Sequence, residues 1–347
     1  GFNASIINPI ITHSTKNGNI RKVKNDKIDS KGIAKLGLSK DIPVSQFPAK
    51  LVLELRSLTR KYYDLTDERS AHINKLKGDL HTVFPQYLDV FCDVTGKTST
   101  MILRQYGTPD KILRGHKKTM IEKISKASRK GLAKASERYE KLCAAANAAK
   151  TFGCQIDSIY FNIFLTLDLV EKLDSALDSI LNRIRQLITF NKNEKFIQQI
   201  KLLNTIPGVG FLTAVTIMCE IGDFSAFRNP KQLFAYFGLD PEVNESGKFV
   251  GTQLHMSKRG SRIARRAIFA VALASIRTKR NGEGINPYLR KYYELKSGQK
   301  PKMVAIGAVM HKVCNIVFAV LRDEKAFELR SPEEHCKQYQ RPALAAA

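Results

Sequence analysis

The chain has 347 residues, with 57 Lys and Arg against 32 Asp and Glu, and its formal net charge at pH 7 is +25. This length allows two or three domains, each with its own core. The charge excess predicts a polyanionic partner, DNA or RNA. We find no signal-peptide pattern and no run of 18 apolar residues, so the sequence predicts no membrane association.

The cysteines and histidines give little support for metal or redox chemistry. The six cysteines form no C-x-x-C pair, so a structural zinc site is not predicted. The seven histidines are dispersed and include no H-E-x-x-H motif. Scattered thiols are typical of a reducing compartment, and we therefore predict a cytoplasmic protein.

The first predicted element is a short β-strand that ends at Asn8-Pro9. Its alternating apolar residues are Phe2, Ala4 and Ile6. A polar loop follows at 13–24, and a weak helical stripe begins at Ile28. Because a single strand is not stable alone, we expect its partner strands in a segment that precedes Gly1.

Helical spacing dominates the middle of the chain. Apolar residues recur at intervals of three and four over 51–83, and residues 117–150 form a predicted Lys- and Ala-rich helical stretch. Shorter helices are predicted within 85–115, and Thr108-Pro109-Asp110 is a predicted helix start. The strongest pattern runs from about 156 to 200, and its apolar seam is Leu169 or Val170, Leu173, Leu177, Ile180, Ile184 and Leu187. This spacing fits a coiled coil and fits an intramolecular helical hairpin equally well.

A tight turn lies between two helical stretches in LNTIPGVGFLTAVTIMCEIG, residues 203–222. Pro207, Gly208 and Gly210 form this turn in a pattern typical of a helix-hairpin-helix. Backbone N–H groups at such a turn can hold a DNA phosphate without reading the base sequence. The alternative is a simple glycine-rich connection between helices.

The most informative segment is NESGKFVGTQLHMSKRGSRIARR, residues 244–266. From Ser246 to Gly282 there are nine Lys or Arg and no Asp or Glu. A hydroxyl in a field that attracts phosphate is what attack on a nucleic-acid backbone requires. The predicted phosphate contacts are Lys248, Lys258, Arg259, Arg262, Arg265 and Arg266. A merely solvated basic face is the alternative, and the lack of any balancing acid in the segment argues against it.

Two carboxylates near the N-terminus form a second candidate site. Asp26 and Asp29 are three residues apart, so a helix would place them on one face. Such a pair can bind Mg²⁺, with water and phosphate oxygens completing the octahedron. The alternative is a pair of helix-capping aspartates.

Together these segments resemble the DEDD transposases of bacterial insertion sequences, the "IS one-ten" group. The strand, the basic loop and KNDKIDSKGIAKL are similar to the end of that family's ribonuclease-H-like domain, in which Asp26 and Asp29 match the third and fourth acids of the Asp-Glu-Asp-Asp set. The segments IPGVGFLTAVTIMCEIGDFSAFRNPKQLFAYFGLDPEVNESGK and SKRGSRIARRAI resemble the family's transposase domain. Ser246 matches the proposed nucleophile there, with Ser257 and Ser261 as nearby competitors. The family's first Asp and its Glu have no counterpart in this sequence.

The resemblance implies an α/β plus α fold in four segments. These are the C-terminal part of a ribonuclease-H-like domain (1–60), a helical, coiled-coil-like region (61–200), a mostly helical transposase domain with a helix-hairpin-helix (201–332) and a flexible tail (333–347).

The implied activity is Mg²⁺-dependent cutting and rejoining of DNA through a serine–DNA link. The implied partners are DNA, a structured non-coding guide RNA and further copies of the chain in a dimer or tetramer, at the bacterial nucleoid. Two alternatives stay open. One is a non-catalytic, basic nucleic-acid-binding protein, and the other is a site-specific DNA invertase with the same chemistry.

Overall fold

A computed structural model describes residues 26–38, 48–154, 156–242, 245–246, 249–250, 255–331 and 333–334, and these are mostly helical. The predicted N-terminal strand and most of the predicted tail lie outside this range. The helices are α1 (Asp26–Gly37), α2 (Lys50–Val83), α3 (Tyr87–Val90), α4 (Lys97–Gln105), α5 (Pro109–Arg114), α6 (Lys117–Ser128), α7 (Leu132–Phe152), α8 (Asp157–Phe190), α9 (Lys195–Leu203), α10 (Phe211–Ile221), α11 (Pro230–Tyr236), α12 (Arg262–Ser275), α13 (Pro287–Ser297) and α14 (Lys302–Asp323). Two-residue strands β1 (Glu245–Ser246) and β2 (Phe249–Val250) precede α12.

The long helices α2 and α8 pack along each other in antiparallel directions. Near one end the Tyr160 hydroxyl donates to the carbonyl oxygen of Val83 at 3.3 Å, and in the middle Arg69 pairs with Asp174. Four residues of the predicted seam are buried: Val170, Leu177, Ile184 and Leu187. Their partner helix belongs to the same chain, so the structure favours the helical hairpin over an intermolecular coiled coil.

Several helix boundaries differ from the sequence predictions. The single helix expected over 156–200 is interrupted between Phe190 and Lys195, which separates α8 from α9. The stretch 117–150 is also two helices, because Arg129 adopts a left-handed conformation with φ of 54° that ends α6. The predicted start at Thr108-Pro109 is confirmed, since the Thr108 side chain caps α5 and Pro109 occupies its first turn.

One hydrophobic core joins the ends of α2 and α8 to helices α3–α7. Tyr87 is fully buried there, and its hydroxyl hydrogen bonds to the carbonyl oxygen of Ser99 at 2.9 Å. A second core is built from α9–α14 and the opposite ends of α2 and α8. The two long helices therefore connect two separately packed regions.

Helix α14 belongs to the second core. Among the described residues it is the one helix long and apolar enough to cross a membrane, and 56% of its most apolar window is buried inside the protein. The apolar stretch from about Met303 to Leu321 predicts a last helix, and the structure confirms it. Its burial against α11, α12 and α13 is typical of a central core helix.

Helices α10 and α12 lie side by side in the second core. The Ser275 hydroxyl, at the end of α12, donates to the carbonyl oxygen of Pro207, just before α10, at 3.0 Å. The two helices therefore run in opposite directions. This arrangement brings the end of α10 and the basic start of α12 to the same side of the core.

Candidate nucleic-acid site

We define the arm as the described residues of 238–246 and 249–260. They form two paired legs, and Ser246 lies in the first leg. Strands β1 and β2 pair antiparallel, with Ser246 opposite Phe249. Below them, Glu242 N–H donates to the His255 carbonyl at 2.7 Å, and Lys258 N–H donates to the Gly238 carbonyl at 3.0 Å. The Ser246 side chain and Lys248 lie outside the described part of the chain, so the placement of Ser246 rests on its backbone.

Two glycines allow the base of the arm to close. A Cβ on Gly238, whose φ is +65°, would lie 2.4 Å from the Gly260 nitrogen, and a Cβ on Gly260 would lie 2.0 Å from the Tyr236 carbonyl oxygen. No larger residue fits at such distances without moving backbone. The end of α11 is thereby held directly against the start of α12.

Arg265 stabilises the contact between the end of α11 and the start of α12. Its Nη1 donates to the carbonyl oxygens of Phe237 at 3.2 Å, Lys258 at 3.1 Å and Gly260 at 2.7 Å. Burial lowers the pKa of this guanidinium from its ordinary value. Arg265 therefore joins the base of the arm to the end of α11, whereas its place in the basic run predicts a phosphate contact.

The two serines that compete with Ser246 have structural partners. The Ser257 hydroxyl donates to Oδ1 of Asp240 at 2.6 Å, linking the two legs of the arm. The Ser261 side chain accepts from the Ala264 N–H at 3.1 Å and caps α12. Both hydroxyls thus stabilise the base of the arm.

An acid on the neighbouring helix α2 balances part of the positive charge of the basic segment. Asp67 of α2 receives Arg266 at 2.7 Å and Arg262 at 3.3 Å. The Arg266 guanidinium also lies 4.8 Å from the ring centre of Tyr63, one turn earlier on α2. The segment itself contains no acid, yet Asp67, almost 200 residues away in the sequence, pairs with two of its arginines.

The described cations divide into two groups. Arg262 is 83% exposed despite its contact with Asp67, and Lys258 and Arg259 are exposed at the arm's base, with no ion pair among the described residues. Arg266 is held more firmly, between Asp67 and Tyr63. Lys258, Arg259 and Arg262 therefore present the most accessible positive charge at this site.

An ion pair with one buried partner lies beneath the arm, and the sequence patterns above do not predict it. Glu220, near the end of α10, is 3% exposed and receives both Nε and Nη2 of Arg60, at 2.8 and 2.9 Å. Burial acts to raise the pKa of Glu220, but hydrogen bonds from Arg60 and Ser261 outweigh it, and the pKa lies below its usual value. An acid inside the apolar run LTAVTIMCEIG is a signal that could have predicted such a partner.

The predicted hairpin turn lies at the other end of α12. A Cβ on Gly208, whose φ is +96°, would lie 2.6 Å from the Ser275 hydroxyl oxygen, and Val209 is buried. Gly210 is exposed and forms the N-cap of α10. Since Ser275 and Arg262 are separated by 13 residues of helix, about 20 Å, the structure does not bring the turn together with the basic start of α12.

The two candidate metal ligands lie in the first turn of α1, Asp26–Gly37. Helical spacing of three places Asp26 and Asp29 on one face, and their side chains lie outside the described part of the structure. Two carboxylates are compatible with Mg²⁺, which usually keeps several waters and takes phosphate oxygens. Among the described residues no group of three or more His, Cys, Asp or Glu could hold a metal ion.

Two family models match different parts of the chain. A model described as "Transposase IS116/IS110/IS902 family" matches residues 200–294, which contain α10, the arm and α12. A second, for the DEDD transposase of IS110, matches residues 1–85 and thus includes Asp26 and Asp29.

Curated relatives lead to the same class. An uncharacterized 43.6 kDa protein of insertion element IS110 from Streptomyces coelicolor is 23% identical over 286 residues, 82% of this chain and 66% of that protein. A pilin gene-inverting protein of Moraxella bovis is 30% identical over 177 residues, 51% of this chain and 52% of its own length. The transposase of element IS1111A from Coxiella burnetii is 26% identical over 188 residues, 52% of this chain and 50% of that protein.

These matches place the chain in the family of DEDD transposase proteins. The chain belongs to the IS110 family of bacterial insertion sequences. The matched regions span half to about two thirds of the length of these three relatives.

Proposed function

We propose that this chain is a DNA recombinase that moves an insertion element by cutting and rejoining DNA, with Ser246 as the nucleophile. The observation that carries this proposal is the arm. Its backbone includes Ser246, and the exposed cations Lys258, Arg259 and Arg262 lie at its base. The family models support the assignment, since the match to residues 200–294 contains the whole arm.

The residues at the arm's base would position the DNA. Lys258, Arg259 and Arg262 would neutralise phosphates on either side of the scissile bond, together with Lys248 of the arm. Arg265 and the Ser257–Asp240 contact would hold the arm in a fixed orientation. A weak nucleophile gains most from such positioning, because the reacting oxygen must lie in line with the leaving oxygen.

The chemical step would exchange one phosphoester for another. The Ser246 hydroxyl would release its proton as its oxygen bonds to phosphorus, and the DNA oxygen whose bond to phosphorus breaks would take up a proton. The covalent link preserves the bond energy for rejoining. Asp26 and Asp29 are the residues that would hold Mg²⁺, which supplies charge stabilisation at a phosphate. The family resemblance further supports a guide RNA, a dimer or tetramer, and action at the nucleoid in the bacterial cytoplasm.

A mechanism-trapping experiment tests the nucleophile. Incubating the full chain with Mg²⁺, donor DNA and the element's RNA should give a covalent protein–DNA adduct that survives denaturation. Ser246→Ala should abolish the adduct, whereas Ser257→Ala should weaken only the anchoring of the arm and keep the adduct. Persistence of the adduct in Ser246→Ala would disprove the assignment.

Metal dependence separates the recombinase from a non-catalytic nucleic-acid-binding protein. Chelation of divalent ions, or the pair Asp26→Asn and Asp29→Asn, should stop cleavage while DNA binding persists. An absence of cleavage under every metal condition would instead favour the binding protein.

Site-specific inversion is a second candidate function. The observation that favours it is the 30% identity to proteins named as pilin gene-inverting in two Moraxella species. Inversion and transposition would use the same residues here. A reporter carrying both an invertible segment and a mobile element would distinguish them by the product formed.

A further inference from the structure

The helical region outside both family models carries a second concentration of positive charge. Residues 97–150 hold 14 Lys or Arg and only four Asp or Glu, so ten units of the net charge lie here. The two family models match 1–85 and 200–294 and do not reach this region. The matched family regions therefore do not account for the positive charge of residues 97–150.

The charge is concentrated on the basic hairpin, which we define as residues 117–134. It comprises α6, the turn after it and the start of α7. Six of its cations are exposed and have no ion-pair partner among the described residues: Lys118, Lys123, Lys126, Arg129, Lys130 and Lys134. Glu122 is the single acid in this range.

The acids of the surrounding region are already engaged away from the turn. Glu140 pairs with Lys117 at 2.7 Å, Glu137 with Lys141 at 2.8 Å, and Asp110 with Lys150 at 2.6 Å. None of these acids forms an ion pair with Lys126, Arg129 or Lys130, so the positive charges of the turn repel one another. Like charges at helical spacing destabilise a helix, so a cluster of this size indicates a polyanion that binds there.

The basic hairpin is braced by its own packing. Met120 and Ile124 of α6 are fully buried against α7. At the turn, the Ser125 hydroxyl donates to the carbonyl oxygen of Lys130 at 2.7 Å. The cations thus project from a fixed backbone, and only their side chains need to be ordered when a ligand binds.

The spacing of the cations suits a duplex backbone. Lys118 and Lys126 are eight residues apart on α6, about 12 Å along the helix. One strand of B-DNA carries a phosphate every 3.4 Å or so along its axis, and this distance therefore covers several phosphates. We find no aromatic platform on this face that would stack unpaired bases, since Tyr139 is buried and Tyr106 is covered by Lys123.

We propose that the basic hairpin is a second nucleic-acid-binding surface, which grips the phosphate backbone of a double helix independently of the Ser246 arm. It extends the proposed function by giving the chain a separate holding point for duplex DNA or duplex RNA. Both carry the same phosphate charge, and a binding experiment with each identifies the source.

The test compares two triple variants of the full chain, both made in the Ser246→Ala background so that no cleavage is required. The test variant is Lys126→Gln, Arg129→Gln and Lys130→Gln. The control is Arg104→Gln, Lys141→Gln and Lys150→Gln, which removes the same charge from cations outside the basic hairpin that already have acid partners. Circular dichroism melts establish that both variants fold.

Binding to a DNA duplex and to an RNA duplex of the same sequence is measured from 50 to 300 mM salt. Each lost phosphate contact should lower the slope of log K against log salt by about 0.9 for B-DNA. The test variant should therefore lose about two to three units of slope on at least one duplex, and the control less than one. The duplex with the larger loss is the ligand of this surface.

Equal slopes for the two variants on both duplexes would refute the surface. Binding of both variants to vesicles of anionic lipid is measured as well, and a loss of binding confined to the vesicles would also refute the proposal, because it would assign the basic hairpin to a membrane. Because the readout is binding, failure of the serine chemistry would leave this result interpretable. If the test variant loses salt slope but the chain with Ser246 forms no protein–DNA adduct, the second binding surface is supported and the recombinase proposal is rejected.

Discussion

At the scale of single residues, the site depends on which charges face inward. Glu220 is buried, whereas its partner Arg60 has 51% of its side chain exposed. The two partners are therefore not equivalent. Loss of Arg60 leaves a buried carboxylate without its main donor, but loss of the Glu220 charge leaves a guanidinium that water can still reach.

Arg60→Ala should lower the free energy of unfolding by about 3–5 kcal/mol, the cost of an uncompensated buried charge. Glu220→Gln should cost about 1–2 kcal/mol. Chemical denaturation at pH 7 measures both. Equal losses would show that Glu220 does not depend on Arg60.

The Arg60–Glu220 pair should also make the stability difference between the parent chain and Arg60→Ala depend on pH. The folded pKa of Glu220 lies below its ordinary value, so its stabilising contribution is present above the unfolded pKa of about 4.3 and is lost as pH falls through the folded pKa. The deficit of Arg60→Ala relative to the parent chain should therefore be largest above about pH 5 and shrink in more acidic buffer.

Arg265 and Arg259 offer a matched comparison at the arm, since both substitutions remove one positive charge. Arg265→Gln should cost about 1–3 kcal/mol, because three carbonyl oxygens lose a donor. It should also increase proteolysis within 238–242 and 255–260. Arg259→Gln should leave stability within about 0.5 kcal/mol and weaken DNA binding. An Arg265 variant with parental stability and weakened binding would place this side chain on phosphate instead.

At the scale of elements, the turn at Gly208 and the arm lie at opposite ends of α12 in the second core. The turn at Gly208 packs on the end of α12, and the arm rises from its start. Helix α12 therefore sets the distance between the two segments that the sequence links to DNA. One duplex would have to follow α12 for about 20 Å to contact both.

The two glycines of the turn should respond differently to substitution. Gly208→Ala should destabilise the chain by about 2–3 kcal/mol, since its Cβ meets Ser275 and its φ is positive. Gly210→Ser should be neutral or stabilising, because nothing lies within 4 Å of its Cβ and serine is a preferred N-cap. Thermal melts of the two variants provide the comparison. A Gly208→Ala variant as stable as the parent would contradict the close packing of this turn.

At the scale of the whole molecule, α2 and α8 join two cores of different character. One core contains helices α3–α7 and supports the basic hairpin. The other contains α9–α14 and supports the arm. Separate cores are expected to open separately, because few buried contacts outside the two long helices connect them.

Hydrogen exchange can detect this division. Ile102 and Ile217 are both fully buried, one in each core, and either change to Ala should cost about 2–5 kcal/mol. Ile102→Ala should reduce protection in α4, α6 and α7 while α10, α12 and α14 keep theirs, and Ile217→Ala should do the opposite. A uniform loss of protection in both variants would indicate one cooperative unit.

The sequence by itself determined the helical character of the chain, the start of α5, the glycine turn and the basic run after Ser246. These features depend on periodicity and on residues that are neighbours in the chain, so local patterns are sufficient to predict them. The family resemblance rested on the same contiguous motifs.

Only the tertiary structure decided which partners these residues meet. Asp67 lies nearly 200 residues from Arg262 and Arg266, and α2 covers the seam of α8 although about 100 residues separate them. Arg265 follows the same local pattern as its neighbours, yet its guanidinium points into the arm's base. Ion pairing, burial and helix pairing over such separations depend on the packed fold, and no local spacing encodes them.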